Sequence, residues 1–423
     1  MSSTRNDWRS KHRERAHAAA HGEPEPAELE IPDHVQAFRG KAEVVTTAAE
    51  LAALLDALRA AGSFAYDSEF IGESSYQPRL CLIQVATAEM VWLIDPIAAE
   101  LRGDALMPFW ELLCDPAVEK VVHAGQQDIE PVVRFTGRGP ANVIDTQVAA
   151  GFCAMAYPTS LAKLVLETTG TALQKGFTFT DWSARPLSAK QLRYAADDVR
   201  YLPAVAVEIK KRLEKSGHLA WVKAECDAMC EPSLYGFNPE SAVEKVRGAG
   251  SCDARQLNVL AELVVWRDAA ARQADLPARA YLKDETLVDL ARGLPKTMDK
   301  LKNFRNLPRP VVEHHGETVL ALVARGAAKP TEGVQTLKGH EPTPPERFAA
   351  DALWAAAQAI CINQSIDPAA VTSRSEIGDL HRHLAAGTDP GELRVLRGWR
   401  RDALGGPLLG YWSDGQAISL KRA

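Results

Sequence analysis

A chain of 423 residues, 46% of them apolar and 25% charged, has the make-up of an ordinary globular protein long enough for two or three domains. No uninterrupted apolar run reaches membrane-spanning length and the start lacks the apolar core of a secretory signal, so a cytoplasmic protein without a membrane partner is expected. A net charge of −6 argues, as a bulk figure, against a nucleic-acid partner, but acidic residues that hold cations distort such a sum, and local pattern decides. The seven cysteines, at 81, 114, 153, 226, 230, 252 and 361, form neither a zinc pattern nor a full disulfide framework and read as reduced thiols.

In chain order, residues 1–40 come first. Arg5, Arg9, Lys11, Arg13 and Arg15, followed by the Pro and Glu mixture of Gly22 to Glu30, predict a flexible arm. Ser63-Phe64-Ala65-Tyr66-Asp67-Ser68-Glu69-Phe70 then approaches two acids through apolar and aromatic residues, as a buried strand does, and period-two alternation sets Asp67 and Glu69 on one side. Two carboxylates on one face are costly to desolvate unless a divalent cation bridges them or the strand edge is wet.

Val121-Val122-His123-Ala124-Gly125-Gln126-Gln127-Asp128-Ile129 runs from an apolar strand through a small-residue turn into a helix start. Asp128 in the first turn either complements the helix dipole or serves as a ligand, and His123 is a hydrogen-bonded structural group, a ligand or a base. Further on, Leu187, Leu192, Ala195, Val199 and Leu202 recur at helical spacing behind Ser188, a cap candidate. Tyr194 and Asp198, four apart, share one helix face. Asp197, rotated by about 100°, reads as their solvated neighbour. Alone, the Tyr194 and Asp198 pair would be an ordinary surface hydrogen bond.

Together these segments resemble the ribonuclease D branch of the DEDD exonucleases, whose third motif is Tyr-x-x-x-Asp. The likeness takes in Tyr66-Asp67-Ser68-Glu69-Phe70, Leu82-Ile83-Gln84-Val85, Leu93-Ile94-Asp95-Pro96, Val122-His123-Ala124-Gly125 with Asp128, and Ile144-Asp145-Thr146-Gln147. It is densest from Thr180-Asp181-Trp182-Ser183-Ala184-Arg185-Pro186-Leu187 on to Tyr201-Leu202. Order and spacing agree over about 160 residues. The resemblance implies an α/β exonuclease domain of ribonuclease H-like type, a mixed central sheet flanked by helices. It implies that Asp67, Glu69, Asp128 and Asp198 hold two divalent metals, Mg²⁺ or Mn²⁺, and that Tyr194 orients the attacking water. The chemistry suits that division: hard cations want oxygen ligands, and a pair of them clamps the entering and leaving oxygens of a phosphodiester. Asp145 matches the family's Asp-Thr-Gln segment and is expected to be structural or to support the metal-holding residues. After Leu173-Gln174-Lys175 the chain departs from many relatives with Gly176-Phe177-Thr178-Phe179, where Phe177 and Phe179 either stack on a base or pack a loop onto the core.

Past Leu202 the pattern becomes helical. Leu257, Leu260, Leu263, Val264, Trp266 and Arg267, then Asp275-Leu276-Pro277, Leu287, Leu290, Leu294-Pro295 and Leu301 resemble an HRDC domain, a small helical bundle, over residues 251–327. A Pro-rich linker (328–345) leads to Ile366-Asp367-Pro368-Ala369 and Ile377-Gly378-Asp379-Leu380, which echo Asp275-Leu276-Pro277-Ala278 and Leu287-Val288-Asp289-Leu290. The expected organisation is therefore a flexible arm (1–40), an exonuclease domain (41–220), a connecting segment (221–250), an HRDC domain (251–327), the linker, and a divergent second HRDC-like domain (346–423), giving two small all-α bundles. Lys296, Lys300, Lys302 and Arg305, and again Arg394 and Arg397 with Arg400 and Arg401, suit a phosphate backbone or merely solubilise a helix face. With His123, Phe177 and Phe179 they make up the candidate RNA contacts. Residues 251–423 are expected to add grip rather than chemistry.

The function expected is a monomeric, metal-dependent 3′ to 5′ exoribonuclease that trims precursor tRNA and other small structured RNAs and releases nucleoside 5′-monophosphates. An exonuclease acting on DNA and a catalytically idle RNA-binding module are the alternatives.

Overall fold

In the computed structural model, which describes residues 31, 33–72, 74–173, 181–304, 306–334 and 342–414, strands and helices alternate through the first third of the chain and only helical segments follow. Phe177, Phe179 and Arg305, and the first thirty residues of the expected arm, lie outside the described residues. The chain divides into two compact units. One comprises Met1–Glu69, Cys81–Leu234 and Pro345–Ala423, the other Phe70–Leu80 and Tyr235–Pro344.

The first unit is built on six strands, β1 (Glu43–Val45), β2 (Ser63–Ile71), β3 (Arg79–Ala86), β4 (Val91–Ile94), β5 (Glu119–Val122) and β6 (Val143–Asp145), in the order β1-β4-β3-β2-β5-β6. The sheet is mixed: β1 runs parallel to β4, β4 antiparallel to β3, and β5 parallel to both β2 and β6. Parallel neighbours need crossovers, and helices supply them. Helix α1 (Ala48–Ala61) opens on a capping box of Thr47 with Glu50 and stops at Gly62, whose φ of 70° suits glycine. Helices α2 (Met107–Leu113) and α3 (Gln126–Thr136) flank β5. The apolar run of β2 is buried as its composition predicts, with Phe64, Ala65 and Tyr66 at 2% exposure or less. Helices α4 (Thr146–Ala150), α5 (Leu161–Thr169), α6 (Ala189–Arg200), α7 (Leu202–Ser216) and α8 (Leu219–Met229) complete this part.

The arm expected over residues 1–40 does not extend that far. Ile31, Val35 and Ala37 are buried in the core with Val148, Leu164 and Tyr201. The His34 ring meets the Thr169 carbonyl at 3.2 Å, and the carbonyls of Phe38 and Gly40 accept from Arg200. Charge and Pro content hid this, because the anchoring residues are few and the groups that fix them lie far along the chain, Thr169 being 135 positions from His34.

The second unit holds α9 (Pro239–Glu244), α10 (Ala254–Gln273), α11 (Ala278–Tyr281), α12 (Asp284–Gly293), α13 (Met298–Lys302) and α14 (Arg309–Ala328). The predicted leucines do form its core: Leu257, Leu260, Leu263, Leu287, Leu290 and Leu301 are buried together. Arg267 is buried too, and is tolerated there because it pairs with Asp284 at 2.7 Å. In the C-terminal part of the first unit, α15 (Pro344–Asn363), α16 (Pro368–Val371) and α17 (Arg374–Ala386) follow one another as α10, α11 and α12 do. The first helix of each series has 20 residues and the second 4.

The region from 346 on, which composition sets apart as a third domain, shares one core with the exonuclease sheet's helices. Leu353, Ala357, Val371, Ile377, Leu380 and Leu404 are buried among Phe152, Val205, Ile209 and Val222. Polar contacts reinforce this: the Ala154 amide donates to the Ser365 carbonyl and the Asp367 amide to the Gly151 carbonyl, both at 2.7 Å, and Arg400 donates to Glu225 at 2.6 Å.

Candidate active site

Tyr66, Asp67, Ser68 and Glu69 stand on β2 where it has run past its ladder with β5, which covers only Ser63 to Ala65. The Tyr66 hydroxyl donates to the Asp128 carbonyl at 2.9 Å, and the Ser68 hydroxyl donates to the Asp128 carboxylate. Asp128 sits, buried, in the first turn of α3. The turn before it is unusual: Ala124 has a φ of 55°, and the Ala124 and Gly125 amides both donate to the Asp145 carboxylate, at 3.1 and 2.9 Å. The same carboxylate caps α4 through the Gln147 and Val148 amides. Asp145 thus fixes two chain reversals at once, which is the structural part expected of it.

Helix α6 begins with a capping box between Ser188 and Gln191. It carries Tyr194 and Asp198, which are hydrogen-bonded to each other, and the Tyr194 ring lies 6.1 Å from Trp182. The segment leading into α6 is held by Arg185. All five of its N–H donors are used: two on the Asp95 carboxylate at 2.6 and 2.7 Å, and the others on the carbonyls of Trp182, Ala184 and Cys81. This residue appears in the sequence motif but carried no signal of its role, since Asp95 is 90 positions away.

Electrostatics tie the three segments together. Burial, above all, lifts the Asp67 carboxyl to about 6. Glu69 is raised to about 8, by burial and then by the charge of Asp67. Asp198 is raised to about 9, by burial and then by Asp67 and Glu69. Asp128 is held well above the usual carboxylate range by burial and by Asp67. The charge of Asp67 thus links acids of β2, α3 and α6, a situation that divalent cations relieve and that is otherwise unfavourable. Among the described residues no group of three or more His, Cys, Asp and Glu side chains is placed so that it could hold a metal ion. The donor set nevertheless fits hard divalent cations, being all oxygen and anionic.

Other candidates fall elsewhere. His123 has both ring nitrogens engaged within the fold, Nδ1 near the Thr146 hydroxyl at 3.0 Å and Nε2 near the Thr159 carbonyl at 3.2 Å. Asp197 is not the solvated residue that helical rotation suggests. Its carboxylate accepts from Arg200 at 2.9 Å and lies 3.7 Å from Arg193, and the Arg200 side chain is 3% exposed. Lys296, Lys300 and Lys302 are exposed. Arg394 and Arg397 have carboxylate neighbours, Glu376 and Glu392, and Arg400 is buried, so that cluster is largely neutralised within the fold.

Comparison with known proteins fits this geometry. A 3′-5′ exonuclease family model matches residues 42–214 and an HRDC domain model residues 256–323. Ribonuclease D of Gluconacetobacter diazotrophicus is 34% identical over 377 residues, covering 89% of this chain and 93% of its own length. The chain belongs to the ribonuclease D family. Ribonuclease D of Escherichia coli is 32% identical over 366 residues, covering 86% of this chain and 96% of its own. Its crystal structure, described as that of an exoribonuclease involved in structured RNA processing, superposes with a TM-score of 0.76 over 89% of this chain and 99% of that one, at 30% identity. As a ribonuclease D the protein is a 3′-5′ exoribonuclease with an HRDC domain, and membership implies dependence on divalent metal. Among the described residues no helix is long and apolar enough to cross a membrane.

Proposed function

We propose that this ribonuclease D trims the 3′ ends of precursor tRNA and other small structured RNAs through a two-metal site held by Asp67, Glu69, Asp128 and Asp198. What supports this reading is that the charge of Asp67 on β2 reaches Glu69 beside it, Asp128 on α3 and Asp198 on α6, all buried or half-buried. Bound Mg²⁺ or Mn²⁺ would supply positive charge to the phosphodiester and lower the pKa of water. Around that centre, Ser68 and Tyr66 hold Asp128 in place, and Asp145 holds the turn that presents it. Tyr194 orients the attacking water: burial and neighbouring acids raise its phenol further above its ordinary value, so it keeps its proton at neutral pH. Each turnover releases a nucleoside 5′-monophosphate.

Residues 346–423 form a second HRDC-like module, supported by the repeated helix series, and its role is to complete the core of the exonuclease unit. Residues 251–327 provide RNA grip through exposed Lys296, Lys300 and Lys302. The protein works as a cytoplasmic monomer. The deciding assay uses 3′- and 5′-labelled RNA and DNA strands, each with Mg²⁺, Mn²⁺ or chelator. Stepwise loss of RNA from the 3′ end that stops in excess chelator is expected, whereas undiminished digestion in chelator would sink the two-metal reading. Equal rates on DNA would favour the broader nuclease.

A further inference from the structure

Strand β2 outruns its ladder with β5 and keeps β3 as its other neighbour in the sheet. Its pairing with β5 ends at Ala65, so the half carrying Asp67 and Glu69 extends to Ile71 without that partner. The chain returns as β3 at Arg79, and between them Phe70–Leu80 belongs to the second compact unit together with Tyr235–Pro344. Gly72, Ser74, Ser75 and Pro78 would by composition make a loosely held tip. Instead Tyr76 is fastened to residues of α10 and the turn after it. Its hydroxyl donates to Asp268 at 2.6 Å and accepts from Arg272 at 3.1 Å, its amide donates to Asp275 at 3.1 Å, and the Arg272 guanidinium lies 5.0 Å from its ring centroid. Asp268 is mostly buried and is also within 3.5 Å of Arg272, so tyrosine, cation and carboxylate form a closed set on α10.

We propose that this Tyr76 latch positions the carboxylate-bearing end of β2, so that helix α10 of the HRDC module contributes to turnover and not only to RNA binding; the inference rests on the reading of Asp67 and Glu69 as metal-holding acids. Tyr76 is a positioning residue. Restraining the loop limits the excursions of Phe70 and Ile71, and through them of Glu69, at a centre where misplacement by about 1 Å costs on the order of 10²-fold in rate.

The test uses the full chain. In Tyr76→Leu, kcat on a short single-stranded RNA is expected to fall about 3- to 30-fold with KM within about twofold, a partial loss on the scale of such misplacement. Mn²⁺ binding to the metal-depleted protein, read by electron paramagnetic resonance, should weaken, and the Phe70 and Ile71 amides should exchange faster. Tyr76→Phe keeps the Arg272 contact and should fall between, while Asp268→Asn still offers an acceptor and should stay near wild type. If Tyr76→Leu fails to fold, Tyr76→Phe with Asp268→Ala in a double-mutant cycle gives the same readouts. Wild-type kcat and Mn²⁺ affinity overturn the proposal, as does a change confined to KM for long structured RNA. Asp67→Asn separates the two readings: an inactive Asp67→Asn beside a normal Tyr76→Leu defeats only the latch, whereas an active Asp67→Asn defeats the assignment of the site itself.

Discussion

Tyr194 and Asp197 are separated by three positions on one helix and serve different ends. The Tyr194 hydroxyl faces the acids of β2 and Asp198, so Tyr194→Phe is expected to lower kcat about 10²- to 10⁴-fold, the scale of losing a positioned proton-handling group, with metal affinity nearly unchanged. Wild-type turnover by that variant would refute its role. Asp197→Asn should do the reverse. It removes a charged partner from the buried Arg200, which still donates to the carbonyls of Phe38 and Gly40. A cost of about 1–3 kcal/mol in urea unfolding is therefore expected, with activity per folded molecule preserved. The site acids make a third prediction, whose sign follows from proton uptake. Asp67, Glu69 and Asp198 titrate in the fold at about 6, 8 and 9, above their ordinary 3.8, 4.5 and 3.8. The native state thus binds more protons, and stability present near pH 4 is lost as pH rises toward 9. In chelator the urea midpoint should fall across that window, saturating Mg²⁺ should abolish or reverse the fall, and Asp198→Asn should flatten it. A chelator profile that rises with pH would contradict the shared-acid site.

At the scale of elements, the sequence carries what is local and loses what is not. Alternation in an apolar strand suffices to pair Asp67 with Glu69, and i, i+4 spacing suffices to pair Tyr194 with Asp198, because both depend only on backbone period. The environment of Asp197 was not legible in that way. Arg200 is its near neighbour on the same helix, but whether that arginine is buried depends on where residues 38 to 40 pass. The two devices that aim the site escaped for the same reason: Asp145 clamps a turn 20 residues upstream, and Arg185 reaches Asp95 across 90. Arg185→Lys tests how far α6 depends on that anchor. Lysine offers three donors where five are used and cannot match the bidentate geometry, so a loss of about 1.5–3 kcal/mol in stability is expected, the scale of hydrogen bonds to a charged group. Turnover on a short RNA should fall as well, because Tyr194 and Asp198 ride on the helix that follows. Unchanged unfolding and turnover would mean that the Pro186 and Ser188 end of the segment is held by other contacts.

For the whole molecule, the lesson of the helical modules is that an apolar stripe announces burial without naming its partner. Residues 346–423 look in sequence like a repeat on a linker, and grip is the natural expectation for such a tether. Yet Leu353, Ala357, Val371, Ile377, Leu380 and Leu404 lie in the same core as Phe152, Val205 and Ile209, and Arg394 and Arg397 have acidic neighbours. Truncation before Pro345 should accordingly do more than weaken binding. It would expose apolar faces of α7 and α8 and leave Glu225 without Arg400, a combination of lost burial and a lost charged partner that typically unfolds a marginally stable domain. The truncated protein is expected to be insoluble or to show fast amide exchange in α4, α7 and α8, with cleavage of even a short strand lost. Neutralising Lys296, Lys300 and Lys302 in the full chain should instead preserve that cleavage and flatten the dependence of log affinity on log salt by roughly 0.7 per lost phosphate contact. A soluble, fully active protein ending before Pro345 would show that the shared core is dispensable and return residues 346–423 to the role of a tethered accessory.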